Sequence, residues 1–282
     1  MLEAVRKSGL PIDVRELSTL DLPDTLPHLA ASGVRRVAIA GGDGTIALVA
    51  SLASKWSMEL AMIPGGTLNH LSSDLGIPEA LDEALQIAFA GEARPVDAGS
   101  VNGHLFLNTS SVGTYVTFVR LRDRLERYLG YRLASVAAAI RLLVRPYAFT
   151  VELEIEGKMR SEVTPLVFIG VGERELKLPT LGGRAPGGRR GLHLMVVRGR
   201  SRARIAALAF AAAARGTRRA ARSPTLDAFI VNQLTIRLRR PRVRVATDGE
   251  LLTLDAPLDY RWVPDAVRIV MPRATEDRGP RK

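Results

Sequence analysis

The sequence predicts an α/β protein, with a doubly wound N-terminal α/β domain followed by a β-sandwich-like C-terminal domain. Three observations predict it. Strands and helices alternate through the first hundred residues, the pattern of a parallel sheet. Two glycine turns, Gly41-Gly42-Asp43-Gly44-Thr45 and Pro64-Gly65-Gly66-Thr67, each close an apolar strand and lead into a helix. Beyond Arg94 the chain changes to short β-type runs separated by Gly-containing turns.

Taken in order, Leu2 to Ser8 reads as the end of a helix stopped by Gly9, and Ile12 to Leu17 as a strand. Thr25 to Ala31 is a short helix closed by Ser32-Gly33, and Val34 to Ala40 is an apolar strand entering the first glycine turn. Ile46 to Lys55 is a helix, and Glu59 to Ile63 is a strand entering the second turn. Asn69 to Leu75 is a short helix ended by Gly76 and Pro78, and Pro78 to Ala90 is another. Pro95 to Ser100 and His104 to Ser110 form a hairpin around Asn102-Gly103. Leu121 to Val144 is helical. Strands follow at Phe149 to Ile155, Pro165 to Val171 and Leu192 to Val197, with a loop over Leu181 to Gly191. Arg202 to Arg215 fits a helix. The last strands are Ala228 to Arg237, Arg242 to Thr247, Leu251 to Leu254, Leu258 to Trp262 and Val267 to Met271.

Composition narrows the function. The 282 residues are 46% hydrophobic and 24% charged, as in ordinary globular chains. With no cysteine, disulfide frameworks, zinc–thiolate sites and cysteine nucleophiles are excluded. The four histidines have no metal-site spacing. The longest apolar run, Ile205 to Ala214, is too short to span a bilayer, and the N-terminus has no secretory h-region. A cytoplasmic protein is the expectation. The net charge of +11 suits polyanionic partners, and Arg184 to Arg222 holds eleven arginines and no acid. That run reads as a solvated face or as a surface for anions. Aromatics are only 5% and are not interleaved with the basic run, so no nucleic acid is expected as a partner.

Three motifs carry chemistry. In the first, glycines bring backbone amides close to a ligand, and the following helix N-terminus favours phosphate. Asp43 would then contact a phosphate-held Mg²⁺ or a ligand hydroxyl, and Thr45 a phosphate; the alternative is a tight turn with Asp43 as a helix cap. The second motif continues into Leu68-Asn69-His70 and lies at a neighbouring strand end, where open α/β sheets bind ligands. The third is Thr247-Asp248-Gly249-Glu250. It reads either as a common Asp-Gly hairpin turn or as a carboxylate pair that deprotonates a hydroxyl. A phosphate cradle, Mg²⁺ and a base are the parts that phosphoryl transfer needs.

The sequence resembles the catalytic domain of the diacylglycerol kinase family, in its bacterial lipid-kinase branch with sphingosine-kinase relatives. The segments that carry the resemblance are IAGGDGTI (39–46), IPGGTLNHLSSDLGIP (63–78), VNGHLFLNTSSVGTY (101–115), TPLVFIG (164–170) and ATDGELLTLDAPLDYRWVPDAVRIVMP (246–272). GGDGT alone also occurs in NAD kinases and phosphofructokinases. The full set in this order points to the lipid branch.

The resemblance implies a two-domain, ATP- and Mg²⁺-dependent lipid kinase. It implies a nucleotide-binding domain over residues 1–98, with 264–275 returning to it, and a lipid-substrate domain over 99–263. Gly41, Gly42, Asp43, Gly44, Thr45, Gly65, Gly66 and Thr67 would hold ATP phosphates, with Asn69 beside them. Asp248 would be the general base for a lipid hydroxyl, supported by Glu250, with Asp43 as the rival base. The implied partners are a lipid alcohol such as diacylglycerol and the anionic inner membrane surface, approached peripherally through the basic stretch and the Arg202–Arg215 helix. A homodimer stays open.

Three departures accompany the resemblance. The family's first strand and its Asn-Pro loop are not found before Met1. Arg189-Arg190-Gly191-Leu192 stands where relatives carry an aspartate-rich structural Mg²⁺ stretch, which leaves that site unsupported. Gly170-Val171-Gly172 replaces a Gly-Asn-Asn. The alternative expectation is a catalytically inert member that binds nucleotide or lipid as a regulator.

Overall fold

The computed structural model describes residues 9, 11–66, 69–144, 148–174, 183–185, 187–198 and 226–273. The helices expected over Leu2 to Ser8 and Arg202 to Arg215 lie outside the described residues, as does most of the arginine-rich run. The chain divides into two compact units, residues 1–96 with 265–282, and residues 97–264.

The first unit alternates helix and strand: α1 (Leu22–Ala31), β1 (Arg36–Gly41), α2 (Asp43–Lys55), β2 (Glu59–Pro64), α3 (His70–Asp74) and α4 (Leu81–Ala90). The end of a long strand, β14 (Leu258–Met271), completes it. β1 lies parallel to β2, from Arg36 opposite Glu59 to Gly41 opposite Pro64. β14 lies parallel along the other side of β2, with Arg268 opposite Glu59. β2 is therefore central, and Leu60, Ala61, Met62 and Ile63 are all buried, the run expected of a parallel strand covered on both faces. α2 buries Ile46, Val49, Ala50 and Ala53, one face at helical spacing. Glu59 links three strands, 2.7 Å from Arg36 at the start of β1 and 3.4 Å from Arg268 near the end of β14. Arg36 also donates to the carbonyls of Ala88 and Phe89 at the end of α4, where a cation suits the helix dipole.

Ile12 to Leu17 is not a strand. The segment has no regular structure, and Val14 and Leu17 are exposed. A β-prone run without a neighbouring strand has no ladder to join.

The second unit is a β-sandwich. Six described strands form one sheet, in the order β10 (Leu226–Val231), β9 (Leu192–Val197), β8 (Leu166–Val171), β5 (Thr109–Gly113), β12 (Arg242–Thr247) and β13 (Glu250–Asp255). The facing layer holds β11 (Gln233–Arg237), β6 (Phe149–Ile155), β7 (Lys158–Thr164) and the start of β14. β3 (Glu92–Val101) and β4 (His104–Phe106) join the same layer. One core unites the layers: Val112, Ile169, Leu194 and Val245 from the first pack with Leu153, Leu234, Ile236 and Tyr260 from the second. Across it, the hydroxyls of Ser110 and Tyr260 share a buried hydrogen bond of 3.0 Å. Burial pushes the Tyr260 phenol far above its ordinary range.

α5 (Thr114–Val144) leaves β5 and bends at Gly130, whose φ of 70° and ψ of 164° break the helical path. Its first turns place Val116 and Val119 on Ala246. No helix among the described residues is long and apolar enough to cross a membrane.

Several expected strands divide or join. His104 to Ser110 is two strands, β4 and β5, in different sheets. Ala228 to Arg237 is likewise two strands in different sheets, parted at Asn232. The two last expected strands are the single strand β14, whose continuity Pro264 and the positive-φ Asp265 conceal in the sequence. β7 was not expected, because its Lys, Arg, Ser and Glu leave no apolar alternation.

Candidate active site

The first glycine turn sits where β1 meets α2. Gly42 precedes the helix in an extended conformation, with no side chain capping the helix N-terminus. That end of a 13-residue helix offers amide donors and partial positive charge. The second turn packs directly against the first. Gly65 N–H donates to the Gly41 carbonyl at 3.1 Å. A Cβ on Gly66 would lie 2.7 Å from the Gly42 Cα, backbone against backbone. Gly66 is thus required by the neighbouring turn as well as by any ligand, and the turns form one surface in the first unit.

Asn69 shapes this surface. It takes a left-handed backbone conformation, φ 48°, just before α3. Its amide closes a reciprocal pair with Gly66: Gly66 N–H donates to Oδ1 and Nδ2 donates to the Gly66 carbonyl, both at 2.9 Å. Asn69 is a scaffold for the second turn. Asp43 and Thr45 lie in the first turn of α2, half-buried, and the Thr45 side chain faces Gly41. Thr67 lies outside the described residues.

Asp248 lies in the second unit, in a two-residue turn that joins β12 to β13, with Thr247 opposite Glu250. Asp248 and Gly249 have φ of 48° and 88°, the left-handed pair that such a hairpin favours. The Asp248 carboxylate accepts three backbone N–H groups: Leu107 on Oδ2 at 2.7 Å, and Asn108 and Thr109 on Oδ1 at 2.9 Å each. Its own N–H donates to the Thr109 carbonyl at 2.8 Å. Oδ1 has both lone pairs engaged, so Oδ2 retains one. Burial pushes the Asp248 carboxyl up, against the opposing pull of the three amides and of Arg174. A carboxylate raised in this way is a better proton acceptor than an exposed one. Glu250 is exposed and makes no hydrogen bond or ion pair among the described residues. The groups that orient Asp248 are the three amides.

Two arginines absent from the sequence-based set complete this arrangement. Arg174 is buried, and its guanidinium donates to the carbonyls of Val171 at 3.1 Å and Asn108 at 2.8 Å. Arg184 donates to the Leu107 carbonyl at 2.8 Å. Arg174 N–H donates to His193 Nδ1 at 2.9 Å, so that nitrogen must be unprotonated. Burial holds the His193 imidazole below its ordinary pKa, in agreement. The Gly172-Glu173-Arg174 sequence alone carries no sign that its arginine turns inward.

Arg189 and Arg190 each engage a carboxylate. Arg189 N–H donates to Glu173 at 3.0 Å, which lowers the Glu173 pKa. Arg190 makes a two-pronged pair with Asp97, and its guanidinium lies 5.4 Å from the centre of the Trp262 ring. Among the described residues, no three His, Asp or Glu side chains gather as a metal cluster.

Residues 2–101, which hold both glycine turns, match the diacylglycerol kinase catalytic domain. Relatives of this chain include "Lipid kinase YegS" of Escherichia coli (strain K12), 32% identical over 179 residues, which are 60% of this chain and 58% of the relative. Another is a lipid kinase of the YegS-like type, so named with the qualifier "Probable", from Shewanella frigidimarina (strain NCIMB 400). It is 30% identical over 158 residues, 51% of this chain and 49% of the relative. The chain thus matches between about half and three-fifths of the length of these relatives. A solved structure of a diacylglycerol kinase from Bacillus anthracis str. Sterne superposes with a TM-score of 0.68 at 19% identity, covering 97% of this chain and 92% of that one. A second structure from that organism gives 0.71 at 22% identity, covering 92% and 85%. The fold is therefore that of diacylglycerol kinase-type proteins, an N-terminal α/β domain and a C-terminal β domain.

Proposed function

We propose that the chain is an ATP-dependent lipid kinase, which transfers the γ-phosphoryl group to the hydroxyl of a lipid alcohol of the diacylglycerol class. The observation that carries the reading is the packing of two glycine turns, Gly41–Thr45 and Gly65-Gly66, into one surface at the N-terminus of α2, within the stretch that matches the family. Such a surface suits phosphates: amides approach closely, and the helix end favours negative charge.

In this reading Gly41, Gly42, Gly44, Thr45, Gly65, Gly66 and Thr67 hold the ATP phosphates, and Asn69 keeps the second turn in shape. Asp248 accepts the proton of the lipid hydroxyl on Oδ2, as the hydroxyl oxygen forms its bond to the γ-phosphorus and ADP leaves. Mg²⁺, when bound, neutralises phosphate charge. Asp43 is the carboxylate at the first turn that fits it. With no acidic cluster among the described residues, the phosphates would supply most of its other ligands. The anionic membrane surface is the partner that presents the lipid.

A second reading has one specific observation behind it. Three amides on one carboxylate are also what a purely structural Asp-Gly turn would use. In that reading the chain binds nucleotide or lipid without turnover, as a regulator. Transfer of label from ATP, with Mg²⁺, to lipid alcohols in mixed micelles separates the two. Labelled lipid that disappears with Asp248→Asn supports the kinase. Absence of product from folded, ATP-binding protein supports the regulator.

A further inference from the structure

We infer that the second half of α5 is a membrane-docking element, which lays an apolar stripe into the surface of an anionic bilayer. Past the bend at Gly130, Leu133 is 63% exposed, and Val136 and Ile140 are 57% exposed each. Spacings of three and four residues put these three on one side of the helix. Ala134 and Ala138, on the far side, are fully buried. The usual order is thus inverted: small residues face the protein and large branched ones face outward. Leu129, just before the bend, is also exposed at 45%. Aligned apolar residues of this size, left in water, mark a surface that something covers.

Charge identifies what covers it. Ahead of the bend, Arg120, Arg124 and Arg127 are all exposed at spacings of four and three, again one side of the helix. None of the three is in an ion pair among the described residues. From Arg127 to Val151 the sequence holds four arginines and no acidic residue. An exposed apolar stripe in a helical segment that carries arginines and no acidic residue is the pattern of a helix lying in the headgroup region, with leucine-type side chains among the acyl chains and guanidinium groups on lipid phosphates. A second copy of this helix would bring the same positive charge against itself, which disfavours self-association as the occupant.

The inference does not need phosphoryl transfer to occur. It adds to the lipid-kinase reading by naming the surface that meets the substrate's membrane. The test is co-sedimentation of the full chain with vesicles of phosphatidylglycerol and phosphatidylcholine, against phosphatidylcholine alone. Binding is expected to the anionic vesicles and to fall about tenfold or more with the Leu133→Glu, Val136→Glu double variant, with Tm unchanged. Leu133→Trp gives a second readout: its fluorescence should shift to the blue and be quenched by brominated acyl chains. Equal binding by wild type and the double variant, or an unquenched Leu133→Trp, overturns the inference. So does a wild-type dimer in solution that the double variant converts to monomer while vesicle binding persists. Phosphorylation of a dispersed short-chain diacylglycerol, measured in parallel without vesicles, tests the kinase reading by itself. Its failure leaves the vesicle result standing, and the reverse holds too.

Discussion

Arg174 and Asp248 hold the backbone of Asn108 between them. The Asn108 N–H donates to Asp248 Oδ1 at 2.9 Å, and the Asn108 carbonyl accepts from Arg174 Nη2 at 2.8 Å. The two side chains lie far apart in sequence, yet the segment from Leu107 to Thr109 fixes the position of one against the other. Whatever proton chemistry Asp248 performs depends on this segment.

Replacing Asp248 by Asn should abolish lipid phosphorylation, with a loss of about a hundredfold or more, as for removal of a general base. An Asn side chain keeps one oxygen for two of the amides and turns an NH₂ toward the third. Stability should therefore fall by about 1–3 kcal/mol, the cost of an unsatisfied buried donor. Turnover and urea unfolding of the same sample measure both effects. Full turnover would transfer the base role to Asp43.

The Arg174 charge pulls the Asp248 pKa down, so removing it should let that pKa rise further. The acidic limb of the kcat/KM profile should then move to higher pH in Arg174→Met. In Arg174→Lys the charge remains and the limb should stay near its wild-type position. Lysine cannot reproduce the forked donation to Val171 and Asn108, so this variant should still lose about 1–3 kcal/mol of stability.

His193 is held neutral in the folded chain, below its ordinary value of 6.5. The unfolded chain therefore takes up a proton first as the pH falls. The stability that the neutral imidazole contributes is fully present above 6.5 and should be lost as the pH drops through the lower, folded pKa. Urea midpoints measured from pH 7.5 down to 5 should fall in wild type. They should fall less in His193→Gln, whose amide oxygen can still accept from Arg174.

Gly66→Ala should weaken ATP binding and the fold together. The added methyl would lie 2.7 Å from the Gly42 Cα, and no side-chain rotation relieves a clash between two backbones. About 1–3 kcal/mol of destabilisation is expected, as for overpacking elsewhere. Nucleotide titration and thermal unfolding check the two effects separately.

Much of this was legible in the sequence. Leu192 to Val197 and Arg242 to Thr247 are strands with the limits that their β-type residues suggest, because burial there follows residue type. The two glycine turns were legible from their place between strand and helix. That Gly42 needs Gly66 was not, because the demand comes from a neighbour in space. β7 had one usable signal, Glu156-Gly157, with φ of 49° and 78°, which pairs Ile155 with Lys158 as a two-residue hairpin. Arg174 and the outward-facing Leu133 had none. An arginine that turns inward and a leucine that turns outward both contradict the averages on which pattern reading rests.

The path of β14 has a consequence for the order of folding. β2 is the middle strand of its trio, and the partner on its second side is not made until Arg268 and Ile269 leave the ribosome. At about 5–20 residues per second, the intervening chain takes roughly 10–40 s to synthesise. For that time the nascent first unit carries an open edge on its most apolar strand, next to the glycine turns. Completion of the first unit's sheet is therefore a late event in the life of the chain, and until then the open edge of β2 is exposed to pairing with other strands.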